Sequence, residues 1–379
     1  MSSQSVTEIP AQSSSSAPSR PQILVLADDL TGACDSAAAF LRHGHTARVL
    51  LTPNPEAPET VWVRHTASRD LSPIAAARAV AQAAHTLPTT PLIFKKVDSA
   101  GRGNIAAELL AAQKAFTTGL ILLAPSFPAA GRVVNNGILQ ITDIASQNTN
   151  VCLAALFPEQ HHHRIGKAAT PAELATLIAA GKDILLCDAA TDSDLQAITQ
   201  AASKLPARIL WAGSAGLANA LAALHPADQP HEQPRPQSGG TLVVTGTTHS
   251  VTQLQLQHLL AARHITLIDL TTDPIDGQAH NLLQITCAKG DSAQIRTLWQ
   301  RLSPRPTALV LTGGDTAALV LQALDAEAII LHGELSPGIP WGTLQSGLAH
   351  NCTVVTKSGG FGTETSLTDA VAFIRERHQ

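Results

Sequence analysis

Short apolar runs recur along the chain, and the stretches between them are alanine-rich and helical in spacing. Gln22–Asp28 (QILVLAD), Thr60–His65 (TVWVRH), Pro91–Val97 (PLIFKKV), Leu120–Pro125 (LILLAP) and Asp183–Asp188 (DILLCD) read as strands. They run apolar without polar alternation, the pattern of a strand covered on both faces. The segments from about Ala33 to Arg42, Pro73 to Ala84, Asn104 to Phe116, Pro171 to Ala180 and Asp192 to Lys204 read as helices. Strand, helix, strand in repetition predicts an α/β architecture with a mainly parallel sheet. Aromatic residues make up 3% of the chain and tyrosine is absent. The core is therefore expected to pack small residues closely, as helices laid on a sheet do.

The pattern breaks at His225–Gly240 (HPADQPHEQPRPQSGG), whose Pro, Gln and Gly content predicts a linker. It then restarts with Thr241–Gly246 (TLVVTG), a helix to about Ala262, His264–Leu270 (HITLIDL), a helix near Ser292–Leu302, and Thr307–Thr316 (TALVLTGGDT) leading into another helix. We expect a disordered tail over 1–20, an α/β domain over 21–224, the linker over 225–240 and a second α/β domain over 241–379. Each would hold a mainly parallel sheet flanked by helices, with the active site in the cleft between them.

A formal net charge of −4 gives no basic face for nucleic acid, so no nucleic-acid partner is expected. The five cysteines (Cys34, Cys152, Cys187, Cys287 and Cys352) form no CxxC pair, which leaves reduced thiols as the expectation. No apolar run reaches the roughly 20 residues a bilayer span needs, and the first twenty residues lack the apolar stretch of a secretion signal. We therefore expect a cytoplasmic protein without a membrane partner.

Ligands of open α/β sheets collect where strands end and helices begin. At such a junction stands LADDLTGACD (Leu26–Asp35), where Asp28 and Asp29 could bind substrate hydroxyls or lie near a metal, or one residue could cap the helix. At another, FKKVDSAGRGNIAAEL (Phe94–Leu109) crowds Lys95, Lys96, Asp98, Ser99, Arg102 and Asn104 together; Arg102 suits a carboxylate, and Asn104 could be a cap. Arg132 in APSFPAAGRVVNNGILQ (Ala124–Gln140) marks a candidate substrate loop, which turn chemistry alone would explain equally well, and WAGSAGLANAL (Trp211–Leu221) allows close approach of a ligand or of a neighbouring helix. In the second half TGTTHS (Thr245–Ser250), LTGGDTAALVLQAL (Leu311–Leu324) and KSGGFGTET (Lys357–Thr365) end strands with glycines and hydroxyls. Glycine lets backbone amides come close to phosphate, and three such loops in one domain point to a nucleotide. There is no GxxxxGK[ST], no GxGxxG after a strand and no GxSxG. His161, His162 and His163 read as a solvated loop, because consecutive residues rarely converge on one ion.

Taken in order from about Ile23 to the C-terminus, LADDLTGACDSA, KKVDSAGRGN, APSFPAAGR, GSAGLA, TGGDTAA, GELSPGIPWG and KSGGFG resemble the four-carbon acid sugar kinase family. The resemblance implies an N-terminal sugar-acid-binding domain, a C-terminal nucleotide-binding domain, and phosphorylation of a tetronate or 3-oxo-tetronate hydroxyl by ATP with Mg²⁺. Carried over by motif, Asp28, Lys95, Arg102, Asn104 and Arg132 would bind the sugar acid, and Asp29 or Asp98 would take the hydroxyl proton. Thr247, Gly313, Gly314, Asp315, Thr316 and Gly359 would bind the nucleotide, with Asp315 at the metal. The chain reads DSAGRGN, GTTH and KSGGFGTE where the family pattern resembles DSTLRGN, GSCS and KSGNFGDE. A homodimer is the assembly to look for. The competing readings are a non-catalytic sugar-acid-binding regulator of the same fold, and an isomerase or aldolase acting on phosphorylated sugar acids.

Overall fold

The computed structural model describes residues 21–53, 57–142, 149–159, 161–167, 169–227, 234, 239–262, 265–268, 275–277, 279–284 and 292–376. The expected tail over 1–20, most of the expected linker (228–233 and 235–238), both ends of the expected strand 264–270 and Cys287 lie outside the described residues.

In chain order the elements are β1 (Ile23–Ala27), α1 (Leu30–Leu41), β2 (Ala47–Leu50), β3 (Val61–His65), α2 (Pro73–His85), β4 (Leu92–Lys96), α3 (Ile105–Phe116), β5 (Leu120–Ala124), β6 (Arg132–Asn135), β7 (Ile138–Ile141), β8 (Thr149–Cys152), β9 (His162–Ile165), α4 (Pro171–Ala179), β10 (Ile184–Cys187), α5 (Asp192–Ala202), β11 (Ile209–Gly213) and α6 (Ala215–Leu224). There follow β12 (Thr241–Thr245), α7 (Ser250–Ala261), β13 (Thr266–Ile268), β14 (Ile275–Asp276), β15 (His280–Gln284), α8 (Ser292–Arg301), β16 (Leu302–Ser303), β17 (Ala308–Thr312), α9 (Gly314–Ala323), β18 (Ala328–Glu334), β19 (Pro340–Gln345), β20 (Thr353–Lys357) and α10 (Ser366–Glu376). Local chemistry sets many of the helix starts. Ser72 caps α2 with Pro73 behind it, and Thr170/Glu173 and Thr191/Asp194 form capping boxes on α4 and α5.

Fifteen strands form one sheet, in the order β13-β15-β12-β17-β20-β19-β18-β2-β3-β1-β4-β11-β5-β10-β9. All pairings from β2 to β9 are parallel, as are those from β13 to β20. Between the two blocks β19 runs antiparallel to β20 and β18, and β18 runs antiparallel to β2, from Ala328↔Leu50 to Leu331↔Ala47. The sheets expected as separate are therefore joined edge to edge. The physical reason lies in β2: an apolar strand left at an edge would offer a row of unpaired amides, and β18 covers it. The antiparallel junction reverses strand direction between the blocks. A twist of roughly 20–25° per strand, accumulated over the steps from β1 to β17, turns most of that reversal back. The carboxyl ends of both blocks thus open toward one cavity.

One core cluster runs across the junction and includes Phe40 of α1, Trp211, Trp299, Leu331 and Leu344. On the opposite face of the sheet α2 and α3 cover the N-terminal block, and α7 and α10 cover the C-terminal one. The alanines of α1 are buried throughout and let it lie closely between sheet, α6 and α9. Gly213 and Gly216 serve the same end: a Cβ there would stand 2.4 Å from the Ala124 carbonyl and 2.3 Å from that of Ser126. The WAGSAG motif is packing. A separate three-stranded antiparallel sheet, β6-β7-β8, follows the Pro-rich turn, its first hairpin turning on Asn136 and Gly137, both at positive φ (52° and 74°). Cys34, Cys187 and Cys352 are buried, Cys152 is exposed, and all four are free thiols.

Because hydrogen bonds cross the junction without a break, the blocks should unfold together. Leu331→Ala, 1% exposed in the shared core, should cost about 2–5 kcal/mol while leaving one urea transition, coincident by circular dichroism and tryptophan fluorescence. Two separated transitions would show that the blocks are independent.

Candidate active site

A cavity of about 570 Å³ opens where the two blocks meet. The N-terminal wall is built by the start of α1 (Asp29, Thr31, Gly32, Asp35), the segment after β3 (Arg69, Asp70), the end of β4 with the loop beyond it (Lys96, Asp98, Ser99, Arg102), and Arg132. The facing wall consists of three strand-end loops: Gly246–His249, Gly313–Thr316 and Ser358–Phe361.

Arg69 organises the first wall. Its Nε and one terminal nitrogen donate to the two carboxylate oxygens of Asp28 at 2.8 and 3.1 Å, and the other donates to Oδ2 of Asp29 at 2.8 Å. The same guanidinium lies 3.5 Å from Oδ1 of Asp98. Asp29 also caps α1, accepting from the Gly32 amide at 2.7 Å and the Thr31 hydroxyl at 3.0 Å. Asp98 is gripped by Arg102 through two parallel bonds of 2.8 and 2.9 Å and accepts from the amides of Ala100 and Arg102. Burial pushes the Asp28 and Asp98 carboxyls up, but Arg69 at Asp28, and Arg102 with Arg69 at Asp98, outweigh it and hold both well below the ordinary carboxylate range. Burial likewise acts to lower Arg69, and the carboxylates of Asp29 and Asp28 raise it.

A second layer holds this wall from beneath. Lys95 is fully buried and ion-paired with Glu108 of α3 at 2.6 Å. Glu108 in turn accepts from the Ser68 hydroxyl at 2.7 Å, next to Arg69 in the chain. Asn104 makes no side-chain cap on α3; its amide donates to the carbonyls of Ser68 (3.1 Å) and Leu71 (2.8 Å), pinning the segment that carries Arg69. Lys95 and Asn104, expected at the substrate, thus lie behind the wall, and Asp28 faces a smaller side cavity of about 170 Å³ with His65, Asp70 and Asp315. The lysine that reaches the main cavity is Lys96, 5% exposed, its amine on the Val97 carbonyl at 3.0 Å and in no ion pair among the described residues. Strand alternation separates the two: Ile93 and Lys95 share the α3 face, Phe94 and Lys96 the α1 face.

The facing wall offers backbone rather than charge. Gly313 stands at the start of α9 with φ +96°, where a side chain would be strained, and no side chain caps the helix. The Gly313 amide donates to the Lys357 carbonyl at 2.8 Å, while those of Gly314 and Asp315, where α9 lines the cavity, have no partner among the described residues. A Cβ on Gly314 would stand 2.7 Å from Oδ2 of Asp29, so here the two walls touch. A Cβ on Gly359 would stand equally close to the Thr247 hydroxyl, and His249 caps α7 through its ring while lying against Gly360. Lys357 holds the last loop in shape: its buried amine, pushed down to about 7 by desolvation, donates to the Thr252 hydroxyl and to the carbonyls of Ser358 (2.9 Å) and Phe361 (3.2 Å). Asp315 is raised by partial burial and then by the neighbouring carboxylates of Asp70 and Asp29.

Of the residues expected from sequence, the cavity brings together Asp29, Asp98, Arg102, Arg132, Thr247, Gly313, Gly314, Asp315 and Thr316 with Gly359. Sequence reasoning passed over Arg69, gave no role to Asp35, His249 and Lys357, and named Lys96 only beside Lys95. Arg69 lies in no recognisable motif; its one signal is its place just past the carboxyl end of β3. Cations thus line one wall, and the other presents glycine loops with the two free amides of Gly314 and Asp315.

Comparison with known proteins gives this site its family. Residues 23–163 and 154–221 match the model described as sugar-binding N-terminal domain, and residues 277–367 the one described as nucleotide-binding C-terminal domain. D-threonate kinase of Bordetella bronchiseptica is 33% identical over 94% of this chain and 98% of its own length. D-threonate kinase of Salmonella typhimurium is 30% identical (94% and 99%), and D-erythronate kinase of Heliobacterium modesticaldum 26% (93% and 97%). A Salmonella typhimurium protein of known structure shares the fold with a TM-score of 0.75 at 22% identity, covering 92% of this chain and 98% of that one. The chain belongs to the four-carbon acid sugar kinase family, and is thereby an enzyme that phosphorylates a sugar acid. Among the described residues no helix is long and apolar enough to cross a membrane.

Removing Arg69 strands Asp28 and Asp29 and leaves Asp98 with Arg102 alone. Because the Asp28 and Asp98 pKa values are depressed in the fold, the stability they contribute is complete above the ordinary carboxylate range near 4 and is lost as pH falls below it. Arg69→Ala should therefore cost about 3–5 kcal/mol at pH 7, and the gap to wild type in urea unfolding should narrow below about pH 4. A gap equally wide at pH 7 and pH 3 would contradict the clamp.

Proposed function

We propose that this enzyme transfers the γ-phosphoryl group of ATP to a hydroxyl of a four-carbon sugar acid, with D-threonate as the preferred acceptor. The observation that carries the reading is the contact of Asp29 with Gly314: the cation-lined wall and the start of α9 share one cavity, so two bound ligands would meet there. Identity to the two D-threonate kinases (33% and 30%) exceeds that to the D-erythronate kinase (26%) and to a 3-oxo-tetronate kinase of Pseudomonas savastanoi (24%), which supports the choice of acid.

Residues 21–224 form the acid-binding unit in this reading and 241–379 the nucleotide-binding unit, with the cavity as the cleft between them. Lys96, Arg102 and Arg132 hold the carboxylate of the acid. Asp29 and Asp98, fixed by Arg69 and Arg102, orient its hydroxyls, and Asp28 serves as the anchor of Arg69. On the facing wall Gly313, Gly314 and Thr316 shape the seat for phosphate, with the amides of Gly314 and Asp315 as its donors, helped by the Thr247 hydroxyl and the open backbone at Gly359. Mg²⁺ supplies charge neutralisation when bound; such an ion takes one or two carboxylates and otherwise phosphate and water. Asp315 fits that part, because Asp70 and Asp29 already make its surroundings too negative for a lone carboxylate. With the charges and dipoles already in place, catalysis is mainly positioning and electrostatic stabilisation.

An ADP-coupled assay across D-threonate, D-erythronate and their 3-oxo forms should give kcat/KM at least tenfold higher for D-threonate, a gap of about 1.4 kcal/mol. ATP turnover independent of every acid would sink the reading. Arg102→Ala should raise KM for the acid tenfold or more, with KM for ATP changed less than threefold; equal changes in both would remove Arg102 from the acid site.

A further inference from the structure

Asp29 and Asp98 were the two carboxylates between which the proton acceptor had to be chosen, and the fold commits both to arginines. A third carboxylate in the same cavity has no such partner. Asp35 lies one turn beyond Gly32 on α1, is 6% exposed, and lines the cavity. Helical side chains lean toward the helix N-terminus, so its carboxyl lies over the turn that Gly32 occupies. Gly32 has no side chain to cover it. No hydrogen bond or ion pair holds the carboxyl among the described residues.

We propose that Asp35 is the catalytic residue that accepts the proton of the substrate hydroxyl. This rests on the kinase reading above. The hydroxyl oxygen forms a bond to the γ-phosphorus while the bond from that phosphorus to the β–γ bridging oxygen breaks, its electron pair leaving with ADP. The hydroxyl proton passes to a carboxylate oxygen of Asp35 and from there to solvent.

The surroundings of Asp35 suit that task. Burial pushes its carboxyl up to about 6; Lys96 at the end of β4 and Arg42 two turns along α1 pull it down, and Asp29 adds to the rise. Arg42 is itself engaged by Glu334 of β18 and Asn219 of α6. Of the other titratable groups on elements packed against α1, Arg48 of β2 pairs with Glu59, Arg64 of β3 reaches the Leu50 carbonyl, His65 lines the side cavity, His332 of β18 turns to Thr343, Lys357 of β20 to its own loop, and Asp315 of α9 lies beside Asp70; α6 carries none. A carboxyl poised near 6 is largely ionised at neutral pH and more basic than an ordinary aspartate.

The test is the single-turnover rate of phosphoryl transfer to D-threonate from pH 5 to 9, for wild type, Asp35→Asn and Asp35→Glu, with binding of the acid and of ADP measured by calorimetry. The wild-type rate should fall tenfold per pH unit below about 6. Asp35→Asn should lose about 100-fold or more, bind both ligands within threefold of wild type, and show no limb near pH 6, while Asp35→Glu recovers part of the rate with the limb displaced. A wild-type rate flat between pH 5 and 7 would overturn the proposal without any variant having to fold. So would an Asn variant within threefold of the wild-type rate, or one that loses ligand binding in step with its rate. A wild type inactive on every four-carbon acid overturns the kinase reading and this proposal together; an active wild type with an unimpaired Asn variant removes Asp35 alone.

Discussion

One guanidinium holds the N-terminal wall of the cavity together. Arg69 reaches Asp28 and Asp29 at the junction of β1 and α1 and Asp98 beyond β4, joining three chain segments far apart in sequence. Three carboxylates this close and this buried would repel one another and lose hydration without a cation among them. The arginine fork matches the geometry, since one planar group can serve two carboxylates and lie near a third. With Arg69 in place, Asp29 can cap α1 and still face the cavity. Without it, the start of α1 and the loop after β4 have no common anchor.

Such a cluster needs rigid support, and the layer behind it supplies that. Glu108 joins the buried amine of Lys95 to the Ser68 hydroxyl, while Asn104 takes hold of the carbonyls on either side of Arg69. Both are polar groups in a place where an apolar core would be cheaper, and both are satisfied by partners of matching chemistry. The opposite wall follows a different logic. Its loops carry glycines and hydroxyls, and the cation nearest them, Lys357, is spent on holding backbone carbonyls rather than on facing the cavity. The two walls thus differ in kind: one carries fixed charge, the other glycine loops and backbone dipoles.

Much of this was legible before any coordinates. The parallel strands announce themselves because, buried on both faces, they run apolar without interruption, and the glycine loops fall at their carboxyl ends as the geometry of open sheets requires. The antiparallel junction was not legible: β18 and β19 are apolar like the rest, and nothing in Ala328–Glu334 says that its partner is β2, far away in the N-terminal half. The Asn136–Gly137 hairpin carries its signal, an Asn-Gly pair between apolar runs, and that turn chemistry does not by itself say whether Arg132 beside it faces a ligand. Lys95 and Lys96 could have been told apart by the two-residue period of a strand. Arg69 could not have been found by motif, since its role exists only once β1, β3 and β4 lie side by side. Asp35 stood in the first motif, yet its value depends on its neighbours being occupied elsewhere, which is a property of the fold.

The most direct test of a shared cavity is a crystal structure of the enzyme with D-threonate and a non-hydrolysable ATP analogue bound together. The account predicts the acid carboxylate on Lys96 and Arg102, the terminal phosphate at the start of α9, and the accepting hydroxyl oxygen about 3–3.5 Å from the γ-phosphorus. Acid and nucleotide seated in separate cavities, or the triphosphate lying on the arginine wall, would contradict it.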